Sequence, residues 1–335
     1  MKYILSICIP TYNREKYLKE LLENIFFQID DTIYKNKIEI CISDNASEDN
    51  TESMIKELKE KYPYITYFKF KKNMGADANY LKVVEIANGE YCWLFGSDDK
   101  IEKNGISKIL SEIKYGNDIY LVNKTECDIN MKNLNNTPIF KRNIESEYFY
   151  FGTTEKLIYY FKSLNTLTGL FSYLSSIIFK KIQWDSISFD QKFIGTAYSH
   201  SFILLSMLKK DMTLKYINEY LILNRGENDA FMSEGIIKRI QLDFDGYKLL
   251  FSNIFDNNEK INIYYKYLLK KSRPSFRMLY ILSNLNNTER KLLLDIIKEA
   301  PYNKILLKYG FYIYLLIPYK LLRYFYRKIF SFKNK

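Results

Sequence analysis

Asp98 and Asp99 form a carboxylate pair in the stretch GEYCWLFGSDDK, residues 89–100, just after the apolar run YCWLF. Two adjacent carboxylates at the end of a strand lose solvation and repel each other, so the pairing persists where a cation or a substrate uses it. A hard divalent cation such as Mg2+ or Mn2+ suits one or two carboxylates in that setting. Gly96 stands two residues before Asp98, where another acid would be expected. Three more polar clusters follow apolar runs in the same way: Thr11–Asn13, Asp44–Ser47 and Lys71–Gly75. The single histidine, His200, lies in FDQKFIGTAYSHSFILL (189–205), and a neutral imidazole is able to take a proton near pH 7.

These clusters need strands and helices to position them. YILSICI (3–9), IEICIS (38–43), ITYFKF (65–70) and YCWLF (91–95) read as strands. Between them, NREKYLKELLENIF places Tyr17, Leu18, Leu21, Leu22 and Ile25 on one helical face, with Asn13 as N-cap. TESMIKELKEKY is a second helix, opened by Asp49 and Glu52 in the pattern of a capping box, and NYLKVVEIAN (79–88) is a third. Alternation with short connections predicts an α/β protein with a mostly parallel sheet covered on both faces. Ligands of such sheets bind beyond the carboxyl ends of the strands, where all four polar clusters fall.

Farther along, 126–150 is rich in Asn and Lys and reads as a loop or insertion. TEKLIYYFKSL is a helix, YLSSIIFKK is strand-like, SFILLSMLKK is a helix and YLILNR (220–225) a closing strand. From 231 onward the pattern is helical, with breaks at Arg273–Pro274 and Asn286–Asn287. A second acidic look-alike, LDFDG (242–246), lies inside that helical pattern and reads as a surface coincidence.

With 335 residues, 47% hydrophobic and 27% charged, the chain can bury a large core. Its net charge is +11, but residues 301–335 hold eight Lys/Arg and no Asp/Glu, which leaves +3 for residues 1–300. A nucleic-acid-binding face would spread basic residues over a folded surface, so nucleic acid is not expected as a partner. Cys8, Cys41, Cys92 and Cys127 have no close spacing and read as reduced, buried thiols of a cytosolic protein. The start, MKYILSICIPTYNREKYL, reads as folded domain rather than signal peptide. No uncharged apolar run reaches the ~18 residues of a membrane-spanning helix.

SICIPTYNREKYL, ISDNASEDNT, KKNMGADAN and GEYCWLFGSDD resemble, in order and spacing, the donor half of family 2 glycosyltransferases with the GT-A fold. The resemblance covers residues 3–115 well and 185–228 more loosely, and it leans toward the abequosyltransferase-like group of bacterial surface-polysaccharide transferases. It implies a nucleotide-sugar-binding half in 1–125, an acceptor-binding half in 126–230 and a helical extension in 231–335. On this mapping Pro10, Thr11, Tyr12 and Asn13 contact the nucleotide and Asp44 accepts a hydrogen bond from the base. Lys71 or Lys72 meets the diphosphate as a point charge, and Gly75 lets the backbone approach closely. Asn73, Asp77 and Asn79 face the nucleotide or sugar. The family's Asp-x-Asp-Asp falls on Gly96, Ser97, Asp98 and Asp99. Asp98 is then the main ligand of Mn2+ or Mg2+, with Asp99 beside it and Ser97 on the substrate side, while the first acid is missing.

Inverting members of the family take the acceptor's proton on a carboxylate, often in a Glu-Asp pair downstream of Phe-Asp. Here Phe189–Asp190 is present, but Ala197 and Tyr198 stand where those acids belong. His200 is therefore the expected base and Asp190 the reserve, with Tyr198 on the substrate side. Arg225 in NRGEN (224–228) meets the diphosphate or pairs with Glu227. The implied reaction moves a sugar, with inversion, from a nucleotide-diphospho-sugar to a hydroxyl of a glycan or lipid-linked acceptor, in surface polysaccharide or lipooligosaccharide synthesis.

The tail from Tyr309 to Phe332 mixes aromatic and aliphatic residues with Lys320, Arg323, Arg327 and Lys328. It suits an amphipathic segment on an anionic membrane surface, which would hold the protein peripherally at the inner face of the cell membrane. Packing on the catalytic domain, or a homodimer contact, is the alternative. Two rival functions remain at this point. A catalytically impaired sugar-nucleotide binder is kept open by Gly96 and the missing Glu-Asp. A sugar-1-phosphate nucleotidyltransferase is disfavoured because no Gly-rich, basic loop follows the first strand.

Overall fold

The computed structural model describes residues 3–30, 35–141, 144–256, 258–303 and 305–307. The chain divides into two compact units, Met1–Asn228 and Asp229–Lys335.

The first unit opens with the alternation β1 (Tyr3–Thr11), α1 (Glu15–Asp30), β2 (Ile38–Asp44), α2 (Thr51–Lys61), β3 (Ile65–Lys69), α3 (Ala76–Glu85) and β4 (Gly89–Leu94). The strands lie side by side in the order β3-β2-β1-β4, all parallel. Thr11 stands opposite Asp44, and Asp44 opposite Lys69, so the strands end level and their loops gather at one edge. Every residue of β2 is buried, as a parallel strand covered on both faces requires. Leu18, Leu21, Leu22 and Ile25 of α1 join Ile7, Ile40 and Trp93 in one core. Each such side chain contributes about 1.5–3 kcal/mol by leaving water.

The sheet continues through a second half made of β5 (Lys100–Ile101), α4 (Gly105–Ile113), β6 (Ile119–Cys127), β7 (Asn133–Asn136), β8 (Glu147–Tyr150), α5 (Thr154–Ser163), β9 (Ile177–Lys180), α6 (Lys181–Asp185), α7 (Ser199–Met207) and β10 (Thr213–Arg225). Its order runs β4-β9-β6-β10-β5, with β7 on β6 and β8 on β10. Here the sheet is mixed: β9 is antiparallel to both β4 and β6, while β10 is parallel to β6.

Several local expectations change. The stretch 126–150 is not all loop but carries β7 and β8, because edge pairing to β6 and β10 outweighs the weak strand propensity of NLNN. Helix α3 starts at Ala76, three residues early, where Gly75 turns the chain with φ of 84° and Asp77 favours the first turn. The box of Asp49 and Glu52 does not form. Asp49 instead accepts from Glu15 N at 2.9 Å and from Thr51, and Glu52 pairs with Lys56 and Lys69. The four cysteines are free and buried.

The second unit holds α8 (Ile236–Ile254), α9 (Glu259–Ser272), α10 (Ser275–Ser283) and α11 (Asn287–Ile296). A true capping box forms at its last break, where Asn286 and Glu289 satisfy each other's backbone N–H. Asp243 of LDFDG is no surface coincidence: it is buried and pairs with Arg239 and Arg273. Among the described residues no helix is long and apolar enough to cross a membrane. The segment Tyr309–Phe332 lies outside the described residues.

Candidate active site

Side chains tie the loops after β1, β2 and β3 to one another. Asn13, at φ +49°, donates its N–H to Ser47 Oγ and accepts from Glu48 N, both at 2.8 Å. It therefore joins two loops instead of capping α1. Asp44 is fully buried, with Oδ1 accepting from Ser47 N at 2.8 Å and Oδ2 from the Tyr67 hydroxyl at 2.7 Å. Each oxygen thus takes one hydrogen bond inside the protein, one from the turn after β2 and one from β3. Asn45 donates to Asn73 Oδ1 at 2.8 Å, and that oxygen also accepts from Gly75 N at 2.9 Å. Pro10 and Thr11 complete β1 and are buried, while Tyr12, Lys71 and Lys72 are exposed on the rim. Asn79 Nδ2 donates to Thr11 O at 3.0 Å. Thr11 Oγ1 and Asn79 Oδ1 are buried without a hydrogen-bond partner among the described residues.

At the end of β4 the two carboxylates have different surroundings. Asp99 accepts four hydrogen bonds: from Tyr173 at 2.6 Å and Ser175 at 2.5 Å on Oδ2, and from Asn224 Nδ2 and Arg225 N at 3.1 Å each on Oδ1. That fills a carboxylate's acceptor capacity. Burial and the Asp99 charge push the Tyr173 phenol well up, so it stays a donor. Among the described residues Asp98 takes contacts from two other side chains, Arg14 Nη1 at 2.7 Å on Oδ1 and Asn228 Nδ2 at 2.7 Å on Oδ2. Burial, with the Asp99 charge beside it, pushes its pKa up to about 6 despite Arg14. Ser97 between them and Gly96 is buried.

Arg225 does not face an open site. Its Nε donates to Asp98 O at 2.9 Å, Nη1 to Ile129 O at 2.7 Å and Nη2 to Glu20 at 2.7 Å, and the guanidinium stacks 4.6 Å from the Tyr17 ring centroid. Its ionic partner is Glu20 rather than Glu227. It fixes the Asp98 backbone and is committed there. Arg14 is the cation that reaches the carboxylate side chain itself.

On the far side, Asp77 holds the loop before α7. Its carboxylate accepts from Gly195 N and Ala197 N at 2.8 Å and from Ser199 N at 2.9 Å, so it is buried inside the protein and binds backbone, not an open cleft. Helix α7 is apolar and almost wholly buried, and His200 sits in it at 2% exposure. Nε2 of His200 lies 2.8 Å from Phe171 O, so the ring proton is on Nε2, and Nδ1 is buried without a hydrogen-bond partner among the described residues. Burial pulls the imidazole down to about 4. This inward posture does not suit a base for an incoming hydroxyl. Tyr198, just before it, is buried as well. Asp190 is solvent-facing: it accepts from Lys192 N at 3.1 Å and pairs with Lys192 Nζ at 2.5 Å, which lowers its pKa.

The profile of the family described as glycosyl transferase family 2 matches residues 6–182, more than half of the chain and the whole of the Asp44–Asp98 region. The chain belongs to that family. The transferase is also 37% identical over 290 residues to abequosyltransferase RfbV of Salmonella typhimurium, covering 86% of each chain. An uncharacterized glycosyltransferase of Mycoplasma genitalium is 34% identical over 109 residues, 32% of this chain and 36% of the relative. Among solved structures, S. aureus TarS 1-349 in complex with UDP-GlcNAc aligns with a TM-score of 0.60 at 17% identity, over 91% of this chain and 83% of that one. The likeness shows a shared GT-A fold, and the transferase is an α/β enzyme of that architecture.

Motif reading missed Arg14, Tyr173, Ser175, Asn224 and Asn228. Arg14 was visible beside Asn13 in PTYNRE, and Asn224 and Asn228 stood in NRGEN. Tyr173 and Ser175 carried no signal, since they reach Asp99 only through the antiparallel insertion of β9.

Proposed function

We propose that the transferase moves a deoxyhexose-type sugar from a nucleotide-diphospho-sugar to a hydroxyl of a glycan or lipid-linked acceptor, with inversion at the anomeric carbon. Assembly of a bacterial surface polysaccharide or lipooligosaccharide is the role that fits, given 37% identity to an abequosyltransferase over 86% of the chain. Residues 1–125 form the donor half, 126–230 the acceptor half, and 231–335 an extension whose basic aromatic tail meets an anionic membrane surface.

The observation that carries this reading is the division of labour between the carboxylates. Asp99 is saturated by four protein donors, whereas Asp98 keeps acceptor capacity on a partly exposed side chain. A divalent cation fits Asp98, because burial beside a second carboxylate leaves it short of positive charge. No group of three or more His, Cys, Asp or Glu gathers among the described residues. The set is therefore one carboxylate completed by diphosphate and water oxygens, as Mg2+ and Mn2+ accept. When bound, the cation would neutralise charge developing on the leaving nucleoside diphosphate. Asp99 then positions Asp98 instead of sharing the ligation.

Around the donor, Tyr12 and Lys72 supply an exposed ring and a point charge, and Gly75 admits the backbone. Asp44, Asn13 and Asn73 act by holding the rim. For the proton of the acceptor hydroxyl we assign Asp190 ahead of His200, because a carboxylate in solvent is reachable and a buried imidazole is not.

A thermal-shift panel of nucleoside diphosphates with and without Mn2+ tests the reading. A ligand at about 100 times its Kd stabilises the fold by about 2.7 kcal/mol, so the matching nucleotide should raise Tm by several degrees only when Mn2+ is present. A flat panel would remove the donor assignment.

A further inference from the structure

We propose that Arg14 is the resident counter-ion of Asp98, competing with the divalent cation for that carboxylate and moving onto the donor's diphosphate when the nucleotide binds. The inference rests on the reading of Asp98 as the cation-binding carboxylate.

The geometry is a closed ring of three residues. Arg14 Nη1 meets Asp98 Oδ1 at 2.7 Å, Arg14 Nη2 donates to Asn228 O at 3.0 Å, and Asn228 Nδ2 donates to Asp98 Oδ2 at 2.7 Å. A cation approaching Oδ1 meets a guanidinium already on that oxygen. The second nearby arginine makes a contrast. Arg225 has its three nitrogens engaged, lies against the Tyr17 ring and is 4% exposed, with its charge matched by Glu20. Arg14 is 20% exposed, and its charge rests on the one side chain that a metal would take.

The backbone of Arg14 is anchored apart from the guanidinium, which Asp98 and Asn228 hold. Its carbonyl accepts from Leu18 N at 2.9 Å in the opening turn of α1, and Asn13 before it is pinned to the loop after β2. A guanidinium released from Asp98 keeps its planar fork, which matches two phosphate oxygens at once. One residue thus balances Asp98 before the donor arrives and the diphosphate afterward.

The test measures Mn2+ alone, by the electron paramagnetic resonance signal of the free ion, on wild type, Arg14→Gln, Arg14→Lys and Asp98→Asn. Without nucleotide, Arg14→Gln should bind Mn2+ at least tenfold more tightly than wild type, and Arg14→Lys should stay within a few-fold of it. With Mn2+ saturating, calorimetry should show Arg14→Gln binding the preferred nucleoside diphosphate at least tenfold more weakly. Unchanged or weaker Mn2+ binding by Arg14→Gln, or unchanged nucleotide binding, would overturn the proposal. Wild-type Mn2+ affinity in Asp98→Asn would instead remove Asp98 as the cation ligand, and with it the reading beneath this inference.

Discussion

Ser175 Oγ donates to Asp99 Oδ2 at 2.5 Å and accepts the Gly96 N–H at 2.9 Å, so one hydroxyl fills the space beside the carboxylate pair. A Cβ at Gly96 would lie 2.9 Å from Asp99 Oδ2 and 3.4 Å from both Asp98 Oδ1 and Ser175 Oγ. This accounts for glycine where the family pattern has an acid. A third carboxylate would press on a carboxylate already bound by Tyr173 and Ser175.

Restoring the family acid should therefore harm the protein. Gly96→Asp is expected to lower stability by about 1–3 kcal/mol from overpacking alone, with like-charge repulsion added. Differential scanning calorimetry should show a Tm several degrees below wild type. A Gly96→Asp protein as stable as wild type would contradict the steric account.

Asp77 links α3 to the loop before α7 through three backbone N–H groups. Asp77→Asn keeps the shape but turns an amide N–H toward those donors, which costs about 1–3 kcal/mol for each group left unsatisfied in the interior. Urea unfolding should show a clear loss. If Asp77 instead touched the sugar, stability would hold and donor affinity alone would fall.

His200 makes a prediction in pH. Its pKa is lowered from 6.5 to about 4 in the folded chain, so the fold holds the neutral ring. The associated stability is complete above pH 6.5 and is lost as pH falls toward about 4. By pH 5 the loss is about 2 kcal/mol. The stability advantage of wild type over His200→Gln, read from urea midpoints, should shrink between pH 7.5 and pH 5. A constant difference would mean that the imidazole is not buried neutral.

The two base candidates separate by kinetics. Asp190→Asn should reduce kcat at least a hundredfold, within the 10²–10⁴ range of general-base contributions, with little change in donor affinity. His200→Gln, assayed above pH 7, should retain kcat within about tenfold, its effect running through the Phe171 carbonyl it holds. The reverse ranking would return the role to His200.

The first four strands were legible because their signals are local. Apolar runs ending in polar clusters located β1 to β4 within a few residues, and the level ends of those strands followed from parallel pairing. What failed depended on contacts far apart in sequence. Asp49 and Glu52 had the spacing of a capping box, but Glu15 N and two lysines compete for their oxygens, while Asn286 and Glu289 face no such competition and form one. His200 looked like a base by its position in a motif, and the all-round apolar character of α7, visible in SFILLSM, was the sign that it is interior. The motif around Arg225 leaves the diphosphate and Glu227 as its partners, because Glu20 lies 205 residues away.

The most direct measurement of the central claim is release of nucleoside diphosphate from a panel of nucleotide-diphospho-sugars with Mn2+, comparing wild type with Asp98→Asn and Asp99→Asn. Wild type should release product from at least one donor. Asp98→Asn should lose at least a hundredfold in rate together with its response to Mn2+, as removal of transition-state charge stabilisation predicts. Asp99→Asn should lose rate along with thermal stability, since its amide NH2 replaces one oxygen and leaves either Tyr173 and Ser175 or Asn224 and the Arg225 N–H without their acceptor. Turnover by Asp98→Asn at the wild-type rate, with the same Mn2+ dependence, would contradict the assignment of Asp98 as the carboxylate on which donor activation depends.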